Sequence, residues 1–240
     1  MAENVDFVSK QILILTNPYL LEDFVPKKTV GDGNCLFRAA SIAAYNNENW
    51  HTDLRQRTFQ EIRDNPTWYD KDDSNYCSPF ANDPGIKIGK YAKYLLNTPK
   101  DGEWSDINHM LALSAVLKTP IESVFPSTQG NVCPLSRLLI GRNVLIDDDS
   151  ASIIKIMWTS LTPPEKIEEF IPNHFVPLIP KEPVNISPSQ DYGFPSKPKN
   201  AEHFATDLAY PNESSYADRA GNLRYFGKSS RIISCSSNYM

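Results

Sequence analysis

The sequence predicts an α+β domain, a small central β-sheet flanked by helices, followed by a tail that cannot build a core of its own. Three observations lead there. Within the first 180 residues, stretches with helical spacing of apolar residues alternate with short runs rich in β-branched residues. Composition changes after Lys181, and a glycine-punctuated turn at residues 31–34 delivers a cysteine to the start of an alanine-rich run. With 40% hydrophobic residues, the 240-residue chain can bury a sizeable core.

Residues 1–26 read as an N-terminal extension and residues 27–181 as the folded domain. The first predicted helix spans 34–46, with Leu36, Ala39, Ala40 and Ala43 on one face. A second spans 52–63, turning Leu54, Thr58, Phe59 and Ile62 inward, and Asn65-Pro66 ends it. Residues 70–85 form a polar, turn-rich loop, and a third helix is predicted over 86–96. Ser105 reads as the N-cap of a helix over 106–117, where Ile107, Met110, Leu111, Ser114 and Ala115 share a face and Thr119-Pro120 stops it. Short strands are predicted at 121–125, 144–146, 153–158 and 175–179.

From 182 to 240 the chain is dominated by Pro, Ser, Asn and Lys. Its few aliphatics (Val184, Ile186, Leu208, Leu223, Ile232, Ile233) follow no sustained period. Such a segment buries too little apolar surface to offset its ordering entropy, so a largely disordered tail is expected. The pattern leaves room for a short element near Arg231-Ile232-Ile233 that docks an unspecified protein.

Twenty-four basic against 29 acidic side chains leave a net charge of −5, without the basic footprint of a nucleic-acid partner. The opening residues are acidic where a secretory leader would be basic, Ile12-Leu13-Ile14-Leu15 is too short for its apolar core, and no run approaches the ~20 apolar residues of a membrane span. A soluble, intracellular protein is expected, with no membrane partner. Cysteines stand at 35, 77, 133 and 235 with no CxxC or Cys/His pairing, which fits neither a zinc site nor a disulfide scaffold. Free thiols, no metal and no cofactor are expected.

Cys35 sits where a thiol can be armed. At a helix N-terminus the first N–H groups lack intrahelical partners and the macrodipole is positive, favouring thiolate and offering donors to a developing oxyanion. A thiol nucleophile also needs a base, usually histidine. His51 follows the first helix, about 15–20 Å away at 1.5 Å per residue. His109 lies inside an amphipathic helix and reads as structural, and His203 belongs to the tail. His174 opens a predicted strand, where a sheet can aim its ring.

The run Gly31-Asp32-Gly33-Asn34-Cys35-Leu36-Phe37-Arg38-Ala39 resembles the nucleophile motif of the ovarian-tumour (OTU) family of cysteine proteases, most of which remove ubiquitin from other proteins. His174-Phe175, late in the domain, resembles that family's histidine motif. Glu103-Trp104-Ser105-Asp106 and the helix and strand after it look like the intervening family segments, so the resemblance covers roughly residues 27–180. Ile121-Glu122-Ser123-Val124-Phe125-Pro126, Ile156-Met157-Trp158-Thr159 and Pro172-Asn173-His174-Phe175-Val176-Pro177-Leu178 look most like the OTU-like domain of vertnin-related animal proteins, a branch that need not be active.

The resemblance implies an OTU-like cysteine protease fold and a thiol-dependent deubiquitinase whose partners are ubiquitin or ubiquitin-like conjugates. Cys35 would be the nucleophile and His174 the base. Many family members orient the histidine with an Asn or Asp two positions on, but that position holds Val176. The family's other recurrent choice is Asp32, as the orienting carboxylate or as part of the oxyanion loop; simple turn chemistry explains it equally well. Asn173 is a third choice, although strand alternation points it to the opposite face. Gly33 and Asn34 belong to the oxyanion loop, with donors expected from Cys35 and from the 32–34 segment. Trp104 fits either a substrate groove or the core, and Arg38 fits structural contacts. Two alternatives stay open: an OTU-like interaction or regulatory module without turnover, and a thiol hydrolase acting on an unrelated peptide or ester.

Overall fold

Asp6 starts the first helix by accepting the Ser9 N–H at 2.8 Å, and α1 (Phe7–Thr16) follows. The structure, a computed structural model, describes residues 4–127, 133–145 and 153–181, all within one compact unit. The tail from 182 to 240, with His203 and Cys235, lies outside the described residues.

After α1 come α2 (Leu20–Asp23) and β1 (Phe24–Pro26). Ser9, Ile12 and Leu13 of α1 are buried, whereas Phe7, Ile14 and Leu15 are exposed. The segment read as an extension is therefore knit into the domain from Asn4 onward. Apolar residues of α1 lie on both its buried and its exposed sides, which is why no clear face marked it in the sequence.

The helix expected at 34–46 forms as α3 (Cys35–Tyr45), closed by Asn46 in the left-handed region with φ 58°. The next forms as α4 (His51–Asp64), and Pro66 then starts the short α5 (Pro66–Tyr69), a position where its missing N–H costs nothing. The expected third helix begins only at α6 (Tyr91–Asn97). Residues 86–90 stay non-helical because Ile86 is buried in the core and the Gly89 N–H is held by the Tyr94 hydroxyl at 3.0 Å.

The N-cap of α7 (Ile107–Leu117) is Asp106 rather than Ser105. A carboxylate is the stronger acceptor at the positive helix end, and here it takes the N–H groups of Asn108 and His109. Lys118, at φ 51°, ends the helix and Ile121 opens β2 (Ile121–Val124). The expected strand over 144–146 does not form at residues 144 and 145, and Ile146 is outside the described residues. A tight turn with Asn143 at φ 62° and a Val144 N–H to Gly141 carbonyl bond occupies that stretch, and the edge strand is instead β3 (Arg137–Leu139). Next come β4 (Ile154–Thr159), a 3-10 turn at Ile167–Glu169, and β5 (His174–Pro180).

These strands form a mixed sheet in the order β1-β5-β4-β2-β3, with β2 and β4 parallel and the other neighbours antiparallel. β5 lies between β1 and β4, and its residues from His174 to Leu178 are all buried. That covering from both faces explains the continuous apolar run Phe175-Val176-Pro177-Leu178. Helix α3 packs on β5 and β4, while α7, buried almost all round, lies between α4 and β2. An aromatic cluster supports the strand ends: Trp158 and Phe175 rings stand 4.5 Å apart, and the Trp158 indole N–H donates to Ser123 Oγ at 2.8 Å.

The cap of α7 also ties that helix to α6, because Asp106 accepts the Tyr94 hydroxyl at 2.7 Å. His109 sits between Asp106 and Thr98, 2.8 and 2.9 Å from them, in the structural role its helical position suggests. Replacing Asp106 by Ala removes the cap and strands the Tyr94 hydroxyl. A loss of about 2 kcal/mol of unfolding free energy is expected, measured by urea denaturation.

Candidate active site

Cys35 is the first residue of α3, and the packing of that helix on the sheet presses it against β5, the strand His174 opens. Both are deeply buried, Cys35 with 4% and His174 with 2% of its surface exposed. Burial pushes the Cys35 thiol up to about 11, against the opposing pull of the Phe175 and Leu36 backbone N–H groups. Burial likewise lowers His174, opposed by the charge of Asp6, the Thr29 backbone and the charge of Asp32. At neutral pH the resting pair is therefore thiol and imidazole.

The loop before Cys35 is held from behind by one buried side chain that the sequence analysis did not single out. Arg55, on α4, is 2% exposed. Its Nη2 donates to the carbonyls of Gly33 and Glu103, each at 2.9 Å, its Nη1 to the Thr98 carbonyl at 3.0 Å, and its Nε to Asn34 Oδ1 at 2.9 Å. The guanidinium also lies 4.4 Å from the centroid of the Phe37 ring. Asn34 Nδ2 reaches Asp101 Oδ1 at 2.9 Å, so Asn34 serves as a brace between loops rather than as a side-chain cap of α3. A signal for Arg55 existed: positions 55, 58 and 62 share a helix face, and Thr58 and Ile62 are both buried.

Gly33 has no substitute. Its φ is +80°, and a Cβ there would lie 1.9 Å from the Gly102 carbonyl oxygen. Residues 101–103 are thereby clamped against the loop before Cys35, and Trp104 follows them at the surface, 56% exposed, not in the core.

Asp32 does not orient His174. Arg38 grips its carboxylate through Nη2 at 2.6 Å and Nε at 3.2 Å, and Oδ1 also accepts the Asn34 N–H at 3.0 Å. The Arg38 hydrogen bonds hold the Asp32 carboxyl well below the usual carboxylate range. Arg38 continues to Glu48 at 3.0 Å, in the structural role expected of it. The other sequence candidate is engaged as well: Asn173 Oδ1 accepts the Leu161 N–H at 2.9 Å, while Val176, where the family often has a polar orienter, is fully buried opposite Met157. The side chain that meets the imidazole is Thr29, whose Oγ1 lies 2.9 Å from His174 Nε2. His51, which opens α4 beyond the far end of α3 from Cys35, turns its Nδ1 to the Glu48 carbonyl at 2.7 Å. Among the described residues no three His, Cys, Asp or Glu side chains converge to hold a metal ion.

Two outcomes follow from this geometry. Site-resolved alkylation of Cys35 by iodoacetamide is expected to be slow at pH 7 and to climb with pH toward an inflection near about 11, because only the deprotonated sulfur reacts. Gly33→Ala is expected to displace the loop from residues 101–103 and to lower the thermal midpoint by several degrees, read by calorimetry.

Residues 26–159 match the family described as "Vertnin, OTU domain". "Putative ubiquitin thioesterase 232R" of invertebrate iridescent virus 3 is 30% identical over 109 residues, 44% of this chain and 12% of that protein. Mouse OTU domain-containing protein 1 is 27% identical over 92 residues, 38% of this chain and 17% of that protein. The matched stretches thus span only a small part of these relatives. Among solved structures, the OTUD1 OTU domain is 20% identical with a TM-score of 0.46, covering 72% of this chain and 95% of that one. The Hazara virus OTU bound to ubiquitin is 14% identical with a TM-score of 0.41, covering 68% and 86%. The family match takes in more than half of the chain, including the loop before Cys35, α3, α7 and the strands β2 to β4, and on that basis the chain belongs to the Vertnin OTU domain family.

Proposed function

We propose that this protein is a thiol-dependent deubiquitinase that hydrolyses isopeptide bonds at the ubiquitin C-terminus. One observation carries the reading: a cysteine at the N-terminus of a buried helix lies against the strand opened by His174, whose Nδ1 is buried and has no hydrogen-bond partner among the described residues. An orphaned ring nitrogen costs free energy, and a proton to accept during catalysis accounts for it. Membership of the OTU family supports the ubiquitin substrate, and the relative named as a ubiquitin thioesterase agrees with it.

In this mechanism Cys35 sulfur attacks the carbonyl carbon of the terminal glycine while its proton passes to His174 Nδ1. The resulting oxyanion is held by the N–H groups of Cys35 and Gly33, since the Asn34 N–H is taken by Asp32. The imidazolium then gives its proton to the departing lysine amine as the C–N bond breaks, leaving a thioester. Water, deprotonated by His174, attacks the thioester, and the sulfur leaves with that proton to restore the thiol. Trp104, exposed beside the loop clamped to Gly33, would flank the entering substrate tail.

One observation favours a second reading, an OTU-like interaction module without turnover. The resting pair is buried and neutral, with the thiol raised to about 11 and the imidazole lowered. An electrophilic ubiquitin probe separates the two. Covalent labelling of the wild type is expected, with none on Cys35→Ala and a loss of at least ~100-fold in rate on His174→Ala. An unlabelled wild type that also leaves every di-ubiquitin linkage intact would exclude the enzyme and leave the module.

A further inference from the structure

We infer that Thr29 is the residue that positions His174, and that its hydroxyl selects the imidazole tautomer with the proton on Nε2 and the lone pair on Nδ1. The Thr29 side chain is buried with 3% exposure and makes two contacts: 2.6 Å to the Phe175 carbonyl oxygen and 2.9 Å to His174 Nε2. A hydroxyl has one proton. A carbonyl oxygen can only accept, so at 2.6 Å that proton points at Phe175, and the hydroxyl has only lone pairs left for the ring. His174 Nε2 must then be the donor. A neutral imidazole carries one N–H, so Nδ1 is left as a bare acceptor, in agreement with its having no partner among the described residues.

Both residues the sequence offered for this task are occupied elsewhere, Asp32 by Arg38 and Asn173 by the Leu161 N–H, and Val176, at the family's usual orienter position, is apolar and buried. Thr29 reaches the site through strand register. β1 runs antiparallel to β5 with Pro26 opposite Leu178, and Lys27 N–H continues the ladder to the Pro177 carbonyl at 3.0 Å. Two residues further along the same alignment, Thr29 faces Phe175, with His174 adjacent. A hydroxyl clipped to a strand carbonyl is thus an uncharged orienter. It fixes ring direction and proton position without placing a second carboxylate beside the thiol.

The inference gives the positioning of a base, so its catalytic meaning rests on the proposed pairing of Cys35 with His174, but its test does not require turnover. Protein labelled with ¹⁵N at histidine rings is examined by NMR at pH 8, comparing wild type, Thr29→Val and Thr29→Ser. In the wild type, His174 is expected to show a protonated Nε2 and a lone-pair Nδ1. Thr29→Val, nearly isosteric but without the hydroxyl, is expected to move those shifts toward the tautomer average and to slow site-resolved alkylation of Cys35 by about tenfold. Thr29→Ser, which keeps the hydroxyl, is expected to restore both within about twofold. A wild-type His174 protonated on Nδ1 overturns the inference by itself, whatever the fate of the variants. So does a folded Thr29→Val protein with an unchanged tautomer. A correct tautomer in a protein that fails to cleave ubiquitin supports the positioning role and counts only against the deubiquitinase reading.

Discussion

Four acceptors from three separate stretches of chain converge on the guanidinium of Arg55, and the shape of the site depends on that convergence. A buried cation is tolerated only where its donors are satisfied, so the carbonyls of Gly33, Thr98 and Glu103 and the amide oxygen of Asn34 hold one another in place through it. Burial lowers Arg55, and the nearby charges of Asp101, Asp32 and Glu103 oppose that. The Gly33 to Gly102 contact completes the clamp by allowing two backbones to meet where any side chain would collide. With the carbonyl of Gly33 fixed toward Arg55, the orientation of the peptide groups just before Cys35 is set.

The same loop pairs its charges with one another, apart from the Cys35 thiol. Arg38 neutralises Asp32 within the motif, and Glu48 shares Arg38. Asp32, which acts on both Cys35 and His174 through its charge, is therefore already paired when the thiol is at rest. Around Cys35 and His174, desolvation favours the neutral thiol and the neutral imidazole, so the two groups do not rest as an ion pair.

β5 joins these features. His174 at its start, Phe175 beside Cys35 and Thr29, and Pro180 paired to Phe24 lie on one continuous strand buried between β1 and β4. The N-terminal segment is thus part of the site: β1 aligns Thr29, and Ser9 of α1 donates to Thr159 Oγ1 at 2.8 Å, directly across the ladder from His174.

By itself the sequence determined the α+β class, the helices around Cys35, Leu54 and Met110, and the core strands containing Ile156 and Val176. These follow from local periodicity, turn chemistry and motif spacing, which depend on neighbours a few residues away. Only the tertiary structure decided what α1 and β1 do, that Trp104 is exposed, that Asp32 belongs to Arg38, and that Arg55 and Thr29 support the site. Each of those outcomes depends on partners brought together across long stretches of chain, such as Arg55 with Glu103 or Thr29 with His174. A polar side chain has many available partners along a chain, and burial and strand register select which of them it meets.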